Sequence, residues 1–255
     1  MQKFLAHTNR KPTNLVVNLS TPRKTKIRIT AIDPKKLGAM YMDREATVDG
    51  NKSFEIRLPQ SPEKLVIKVA ARQGSSVKVN SIKEAKLPRY LNCIEGKKVS
   101  SFLKFAMEFS ENAGILATGR YVSDNKKYTI DYFPEIVHES GKVLSTPARI
   151  SNSTGRMEIS KKSFSKMTIP MRMAILCHEF SHFYLNEIQR DEIEADLNAL
   201  ALYLGMGYPV IEAHKAFLDT FESTPTDTNK ERYTYLKTFI DNFDDLKHKI
   251  CKTIP

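Results

Sequence analysis

Apolar and polar side chains alternate with a period of two over most of the N-terminal third of the chain. The runs over 15–19 and 54–58 are clear examples, with Leu, Val, Ile or Phe at every second position. Alternation of this kind is typical of strands that bury one face. Pro and Gly residues stand between the runs, and the Asp49-Gly50 pair predicts a hairpin turn. We therefore expect an antiparallel β-sandwich, immunoglobulin-like in its short and regularly spaced strands, over residues 1–87.

Beyond a predicted linker over Glu84–Asn92, the apolar residues recur at helical spacing. Residues 93–255 carry start and stop signals for five helices, with short strands ahead of the second one. The predicted elements are a helix through Phe102–Phe109, strands over Lys127–Phe133 and Arg156–Ser160, and helices over Thr168–Leu185, Asp191–Leu204, Pro209–Phe221 and from Thr228 onward. The fold class that follows is α+β: a β-sandwich, and then a mainly helical domain with a small sheet.

Composition excludes several classes of protein. Hydrophobic residues make up 41% of the 255 positions and charged residues 27%, which is ordinary for a globular chain and argues against disorder. The longest nearly apolar stretch, Ala199–Val210, is too short to span a membrane, and the first residues contain no apolar core of a secretory signal. The three cysteines, Cys93, Cys177 and Cys251, are widely spaced. We expect a reducing compartment, the cytoplasm, with no membrane span.

Positive charge is concentrated in the N-terminal domain. Residues 1–90 contain 19 Lys and Arg against 7 Asp and Glu, whereas residues 191–255 contain 7 against 12, within a net charge of +11. Such asymmetry is consistent with an anionic or protein partner for the basic domain, and equally with a solvated Lys-rich surface. No nucleic-acid-binding motif accompanies the charge.

The second helix contains the sequence His178-Glu179-Phe180-Ser181-His182, an HExxH motif. Two histidines four residues apart lie on one face of a helix, so both imidazoles can reach one metal ion. Glu179 lies at the edge of that face, where it can accept a proton from a metal-bound water. Zinc suits two imidazoles and a carboxylate, with one position open for water. The alternative interpretation is a polar patch of hydrogen-bonded histidines on a core helix.

A second acidic motif follows in the next helix, where Glu192 and Asp196 lie in an ExxAD pattern. Here the chain resembles the gluzincin branch of the zincin metallopeptidases. The resemblance implies that His178, His182 and Glu192 hold zinc, that Glu179 is the catalytic base and that Asp196 orients a ligand histidine. Side chains two residues apart on a helix point in nearly opposite directions, so only one of Glu192 and Glu194 can face the histidines. We expect Glu192 to be the third ligand, because Asp196 and Ala199 follow it along one edge of the apolar stripe, whereas Glu194 leads to the polar Asn198. The alternative for these carboxylates is an acidic first turn that favours the helix dipole.

The resemblance covers residues 155–240. It implies that the strand over Arg156–Phe164 pairs with an extended substrate, as the strand before the active helix often does in zincins. Ser223-Thr224-Pro225 resembles a later element of membrane-associated zincins and their soluble relatives, but the histidine of that element is absent. No oxyanion-stabilising residue follows from the motif. The candidates of suitable chemistry are Tyr208, His214, Arg232 and Tyr233.

The function expected from these motifs is that of a zinc metalloendopeptidase acting on a protein or peptide substrate, with Glu179 activating a zinc-bound water. The alternative is a structural or assembly protein that retains a zincin fold, for example a component of a bacteriophage virion in the tail or collar. Fold alone does not decide between them. Homo-oligomerisation and virion assembly, and with them a virion location, also stay open.

Overall fold

The computed structural model describes residues 1–72, 75–88, 97–223 and 226–243, with only the backbone described for residue 97 and residues 218–223. The chain divides into two compact units. The first is Met1–Pro88 together with Gly207–Pro209, and the second contains the remainder. An antiparallel sheet forms the first unit, and helices with a small mixed sheet form the second, so the predicted α+β class is confirmed.

Five strands build the sheet of the first unit, and every pairing in it is antiparallel. The strands are β1 (Gln2–His7), β2 (Thr13–Ile32), β3 (Met40–Leu58), β4 (Lys64–Ala71) and β5 (Lys78–Ala85). Strand β2 pairs along its whole length with β3, while its other edge pairs first with β5 and then with β4. Alternate side chains are buried along these strands, which confirms the predicted period of two.

Strand β2 bends sharply near its middle. Gln2 at the start of β1 accepts a hydrogen bond from the peptide N–H of Val79 in β5 (3.2 Å). Yet Val79 lies opposite Leu19, whereas Gln2 is aligned, through β4, with Ile29. A straight strand from Leu19 to Ile29 would span about 33 Å. The two halves of the sheet are therefore folded toward each other. The buried face of one half packs against the buried face of the other, and together they form the core.

The hairpin predicted at Asp49-Gly50 is wrong, because β3 continues through both residues. Gly50 does adopt the positive φ of +70° that a turn would use. It lies opposite Thr21, and the next aligned pair is Thr25 with Val48, so β2 contains extra residues at this point. Bulges of this kind bend a strand and increase its twist. The glycine therefore serves the bend in the long β2–β3 pair.

The second unit surrounds a four-stranded sheet with helices. Its elements are α1 (Lys97–Asn112), β6 (Gly119–Val122), β7 (Thr129–Phe133), β8 (Ala148–Ile150), β9 (Met157–Ser160), α2 (Lys161–Phe164), α3 (Ile169–Tyr184), α4 (Glu192–Gly205), α5 (Val210–Ser223) and α6 (Asp227–Asp241). The strand order is β6-β7-β9-β8, with β7 and β9 parallel and the other pairs antiparallel. Strand β8 thus lies at one edge of the sheet and β9 lies inside it.

Helix α3 is the central helix of this unit and begins where the sequence predicts. The Thr168 hydroxyl accepts a hydrogen bond from the N–H of Met171 (3.3 Å), which caps the first turn. Almost every side chain of α3 is buried, including that of Arg172. This guanidinium donates to the carbonyl oxygens of Phe164 and Ser110 (2.8 Å each), and burial lowers its pKa to about 10. Arg172 therefore ties α3 to α2 and α1.

The last helix is less buried than its pattern predicts. The sequence predicts that an apolar face of α6 packs in the core, but only Leu236 of that face is buried and Tyr233 is exposed. Phe239 and Phe243 are half-buried and contact each other, with ring centroids 5.8 Å apart. Leu246, predicted on the same face, lies outside the described residues. Arg232 is the other buried side chain of this helix.

Several other predictions fall on parts of the chain that the structure does not describe. The linker expected over Glu84–Asn92 overlaps β5 up to Ala85, and residues 89–96, with the predicted start of the second domain at residue 93, lie outside the described residues. The same holds for Thr224-Pro225, Cys93 and Cys251. Within the described residues no helix is both long and apolar enough to cross a membrane.

We predict that residues 1–87 fold separately from the second domain, because their sheet contains its own buried core. Limited proteolysis of the folded protein should cut near Pro88, and the isolated fragment should show a β-type circular dichroism spectrum and a cooperative urea transition. Resistance to cleavage there, combined with an unfolded fragment, would show that the two parts need each other to fold.

Candidate metal centre

Helix α3 brings His178 and His182 together on one face, and the start of α4 adds Glu192. The two Nε2 atoms lie 3.1 Å apart, and Glu192 carboxylate oxygens lie 3.5 Å from Nε2 of His178 and 3.6 Å from Nε2 of His182. These three side chains, called the metal triad below, are the cluster in the described part of the chain whose donor atoms could hold one ion. The structure therefore places the three predicted ligands side by side, while their role as ligands stays a prediction.

A tight connection between α3 and α4 makes this arrangement possible. Only residues 185–191 separate the helices, and Asp191 caps α4 by accepting from the N–H of Glu194 (2.9 Å). The carboxylate of Glu194 points back to the connection and accepts from the peptide N–H groups of Glu187 (2.9 Å) and Ile188 (3.3 Å). Glu194 therefore lies outside the metal triad, and it holds the connecting loop in place.

The same loop orients His182. Nδ1 of His182 lies 2.7 Å from the carbonyl oxygen of Gln189, so this nitrogen carries the proton and Nε2 offers a lone pair. The amide of Asn186 donates to the carbonyl of Asp191 (2.8 Å), and its oxygen accepts from the Asn198 amide (3.1 Å). These bonds fix the loop backbone, and through it the imidazole.

Asp196 contacts the other histidine, while its predicted role in orienting that ring stays a prediction. Its Oδ1 lies 2.9 Å from Nδ1 of His178, and the side chain is almost fully buried. Arg232 of α6 pairs with both oxygens of Asp196, at 2.7 and 3.0 Å, and its Nη2 also lies 3.0 Å from Glu192. One guanidinium thus contacts both the carboxylate beside His178 and the carboxylate of the metal triad. Outer partners of this kind fix the ligand geometry in metal sites.

Glu179 stands beside the triad without belonging to it. Its carboxylate is 8% exposed, accepts a hydrogen bond from the peptide N–H of Ile150 in β8 and lines the same cavity as the triad. Burial raises the pKa of Glu179 to about 7, and the Glu192 charge adds to the rise, while His178 and Arg232 oppose it. A carboxyl group in a cleft, with a pKa near neutral pH, is chemically suited to gain and lose a proton.

The charges of the triad and its neighbours perturb the other pKa values as well. Burial alone would lower the pKa of His178, but Asp196 and Glu192 outweigh it and raise that pKa to about 10. Burial and the neighbouring His178 lower the pKa of His182. Burial would raise the pKa of Glu192, yet the His178 contact and Arg232 bring it down to about 2. The carboxylates of Asp196, which is buried, and of Glu192, which is partly exposed, therefore attract positive charge to this spot.

A divalent cation fits both the shape and the charge of the donor set. In a tetrahedron with ligand bonds of about 2.0–2.2 Å, donor atoms lie about 3.3–3.6 Å apart, close to the observed 3.1, 3.5 and 3.6 Å. With Glu179 ionised and both histidines neutral, the carboxylates of Glu179, Glu192 and Asp196 outnumber the nearby guanidinium of Arg232 by two charges. Two lone pairs aimed at each other across 3.1 Å repel unless a proton or a cation lies between them.

The cluster opens on a cavity of about 460 Å³. Strand β8 and the residue before it, Pro147, form one wall, and Phe217 of α5 contributes to another. The expectation that the segment 156–164 pairs with a substrate is therefore wrong. Strand β9 is hydrogen-bonded on both sides, to β7 and to β8, and it does not line the cavity. The strand that faces the cavity is β8.

Of the four candidates for an oxyanion-stabilising role, Arg232 is the one that lines the cavity. Tyr208 is buried, the rings of His214 and Tyr233 lie 6.4 Å apart on α5 and α6, and none of these three lines the cavity. Arg232 already forms ion pairs with Asp196 and Glu192, as described above.

Comparisons with models of known protein families, with curated proteins and with solved structures find no match for this chain. The assignment of the site thus rests on the residues and geometry described above.

We predict that Glu192→Ala weakens zinc binding by more than about 100-fold, beyond the 10- to 100-fold typical of outer partners, whereas Glu194→Ala retains zinc. Loss of two loop hydrogen bonds should still lower the free energy of unfolding of Glu194→Ala by about 1 kcal/mol. Competition with a chromogenic chelator measures the affinity, and urea titration measures the stability. The opposite pattern of zinc retention would assign the third ligand to Glu194.

Proposed function

We propose that this protein is a zinc-dependent peptidase whose site is the metal triad with Glu179 beside it. The observation that supports the proposal most directly is the joint placement of four groups. His178, His182 and Glu192 converge within metal-binding distance of one another, and Glu179 lines the same cavity, next to an edge strand. Each of these groups has its own task in the hydrolysis of a peptide bond.

The chain's own residues would hold and orient the metal. Nε2 of His178, Nε2 of His182 and the Glu192 carboxylate are the ligand atoms, and Asp196 and the Gln189 carbonyl keep the two imidazoles in the required tautomer. A zinc ion bound there would supply a Lewis acid that polarises the peptide carbonyl and acidifies water. The remaining steps belong to protein groups.

Glu179 would act as the general base and then as the general acid. Its carboxylate takes a proton from the attacking water, whose oxygen forms the new bond to the carbonyl carbon. The same proton then passes to the amide nitrogen as the carbon–nitrogen bond breaks, and the second proton of the water follows it, so the products are a carboxylate and a protonated amine. The hydrogen bond from Ile150 keeps the carboxylate at the cavity wall throughout.

Strand β8 would bind the substrate as an added strand. The carbonyl of Pro147 accepts from the N–H of Ser160, and the N–H of Ser151 donates to the carbonyl of Arg156 (2.9 Å each). The main-chain groups of Pro147 and Ser151 therefore face β9. By alternation, the main-chain groups of Ala148 and Ile150 face the open edge. Two of these groups already have partners: the N–H of Ile150 donates to Glu179, and the carbonyl of Ala148 accepts from Thr146 Oγ1 (2.6 Å). The N–H of Ala148 and the carbonyl of Ile150 remain for an extended peptide.

We predict close to one equivalent of zinc per chain in protein purified without added metal, since the triad offers three ligands and an open position. Elemental analysis gives the ratio, and titration of chelator-treated protein gives the affinity. Protein that contains no metal and takes up none would overturn the proposal at its first step.

We predict that Glu179→Gln abolishes peptide hydrolysis while zinc remains bound. The amide has nearly the same shape but cannot accept the proton, and a general base typically contributes 10²–10⁴-fold. Cleavage of a peptide library, followed by mass spectrometry, compares the variant with the wild type. Glu108→Gln is a suitable control, because Glu108 is exposed on α1 and does not line the cavity. Zinc-loaded wild-type protein that cleaves nothing would favour the alternative function, a structural or virion assembly protein that retains a metal site.

A further inference from the structure

The cavity wall outside the metal centre is positively charged. Two arginines, Arg149 and Arg190, line the cavity in addition to the triad, Glu179 and Arg232. Among the described lining residues, the two carboxylates are those of Glu179 and Glu192, and both are assigned to the chemistry. A substrate side chain that extends past the metal centre therefore meets cations and no further acidic group.

Arg190 is the more available of the two cations. Its side chain is exposed, and no described carboxylate lies within ion-pair distance of it. Arg149 has its Nε 2.6 Å from Glu158, so its charge is partly balanced. An arginine at a cavity wall without a partner is a ready binding group for a carboxylate, which its fork of N–H donors can hold in two parallel bonds.

The backbone that carries Arg190 is held firmly. The carbonyl of the preceding residue, Gln189, accepts a hydrogen bond from His182. The carboxylate of Glu194 accepts from the N–H groups of Glu187 and Ile188, earlier in the loop. The N–H of Asp191, the following residue, donates to the carbonyl of Ile188 (2.8 Å). The backbone of Arg190 is thus held near the triad by the same loop bonds that orient His182. A recognition group needs this kind of support if it is to select among substrates.

We propose that the site selects peptides that carry a carboxylate near the scissile bond, and that Arg190 binds it. This inference rests on the proposed peptidase function and names its substrate class. The carboxylate comes either from a Glu or Asp side chain or from the C-terminus of a short peptide. Both have the same chemistry, and the substrates used in the test distinguish them.

The test compares matched peptides that differ at one position, Glu, Gln or Lys, each made with an amidated and with a free C-terminus. Wild-type protein should cleave the Glu peptide about 5-fold better in kcat/KM than the Gln peptide, the upper range for a partly exposed ion pair. The preference should shrink as salt rises. Preference for a free C-terminus in place of Glu would identify the terminal carboxylate as the group recognised.

Variants assign the preference to Arg190. Arg190→Gln should bring the Glu-to-Gln ratio close to one, and Arg190→Glu should favour the Lys peptide. Lys166→Gln is the matched control, because it removes one exposed positive charge from the same unit outside the cavity and should keep the ratio. A ratio of one in the wild type, for both the side chain and the terminus, or a ratio unchanged in Arg190→Gln, would overturn the inference while leaving the peptidase proposal intact.

Binding provides a readout that does not depend on turnover. Fluorescence anisotropy of labelled peptides on zinc-loaded Glu179→Gln protein should show the same order of affinities, and the Arg190→Gln change should remove it. If no peptide is cleaved by the wild type and none binds the Glu179→Gln protein, the peptidase proposal fails, and the substrate class inferred from it fails too.

Discussion

The second unit depends on one buried ion pair, between Asp196 and Arg232. A carboxylate that is 1% exposed is costly unless it is paired and hydrogen-bonded. Asp196 meets this requirement by accepting two hydrogen bonds from Arg232, and Nδ1 of His178 lies 2.9 Å from its Oδ1. Three helices, α3, α4 and α6, are thereby joined at the point where the metal triad forms. Removing either partner would leave a buried charge, so the structure of the site and the packing of α6 are coupled.

This coupling explains why α6 stays attached although little of it is buried. Besides Arg232, only Leu236 of its described side chains is buried, so apolar packing contributes less than the predicted apolar face implied. The ion pairs of Arg232 with Asp196 and Glu192 join α6 to α4 without apolar packing. Because a divalent cation would bring the local charge to neutrality, metal binding and the docking of α6 should favour each other.

The chemistry-bearing residues were accessible to sequence analysis because they lie at helical spacing. His178 and His182 are four residues apart, as are Glu192 and Asp196, and the caps Thr168 and Asp191 mark where the two helices begin. Spacing on a helix translates directly into position on a face. The choice of Glu192 over Glu194 followed from the same geometry, and the structure places only Glu192 beside the histidines.

The parts that sequence analysis missed are those without a periodic signal. Strand β8 has three residues, too few for alternation to show, and the predicted substrate strand was placed one strand away. The carbonyl of Gln189 and the N–H of Ile150 are main-chain groups, which every residue has, so no residue type marks them. The bend of β2 was hidden for a similar reason: Gly50 signals positive φ, but not whether the chain turns or bulges there.

The candidate metal centre and the wall proposed to bind substrate lie on different kinds of structure. The triad and Asp196 are on α3 and α4, where contacts with one another, with the Gln189 carbonyl and with Arg232 set their orientation. The wall that a peptide would contact consists of a short edge strand and a connecting loop, with Arg149 and Arg190 partly or fully exposed. A substitution in the wall can change which peptide binds at little cost in stability, whereas a substitution in the centre disturbs the charge balance of three helices. The exposed arginines are therefore where differences in substrate choice would arise without loss of the metal.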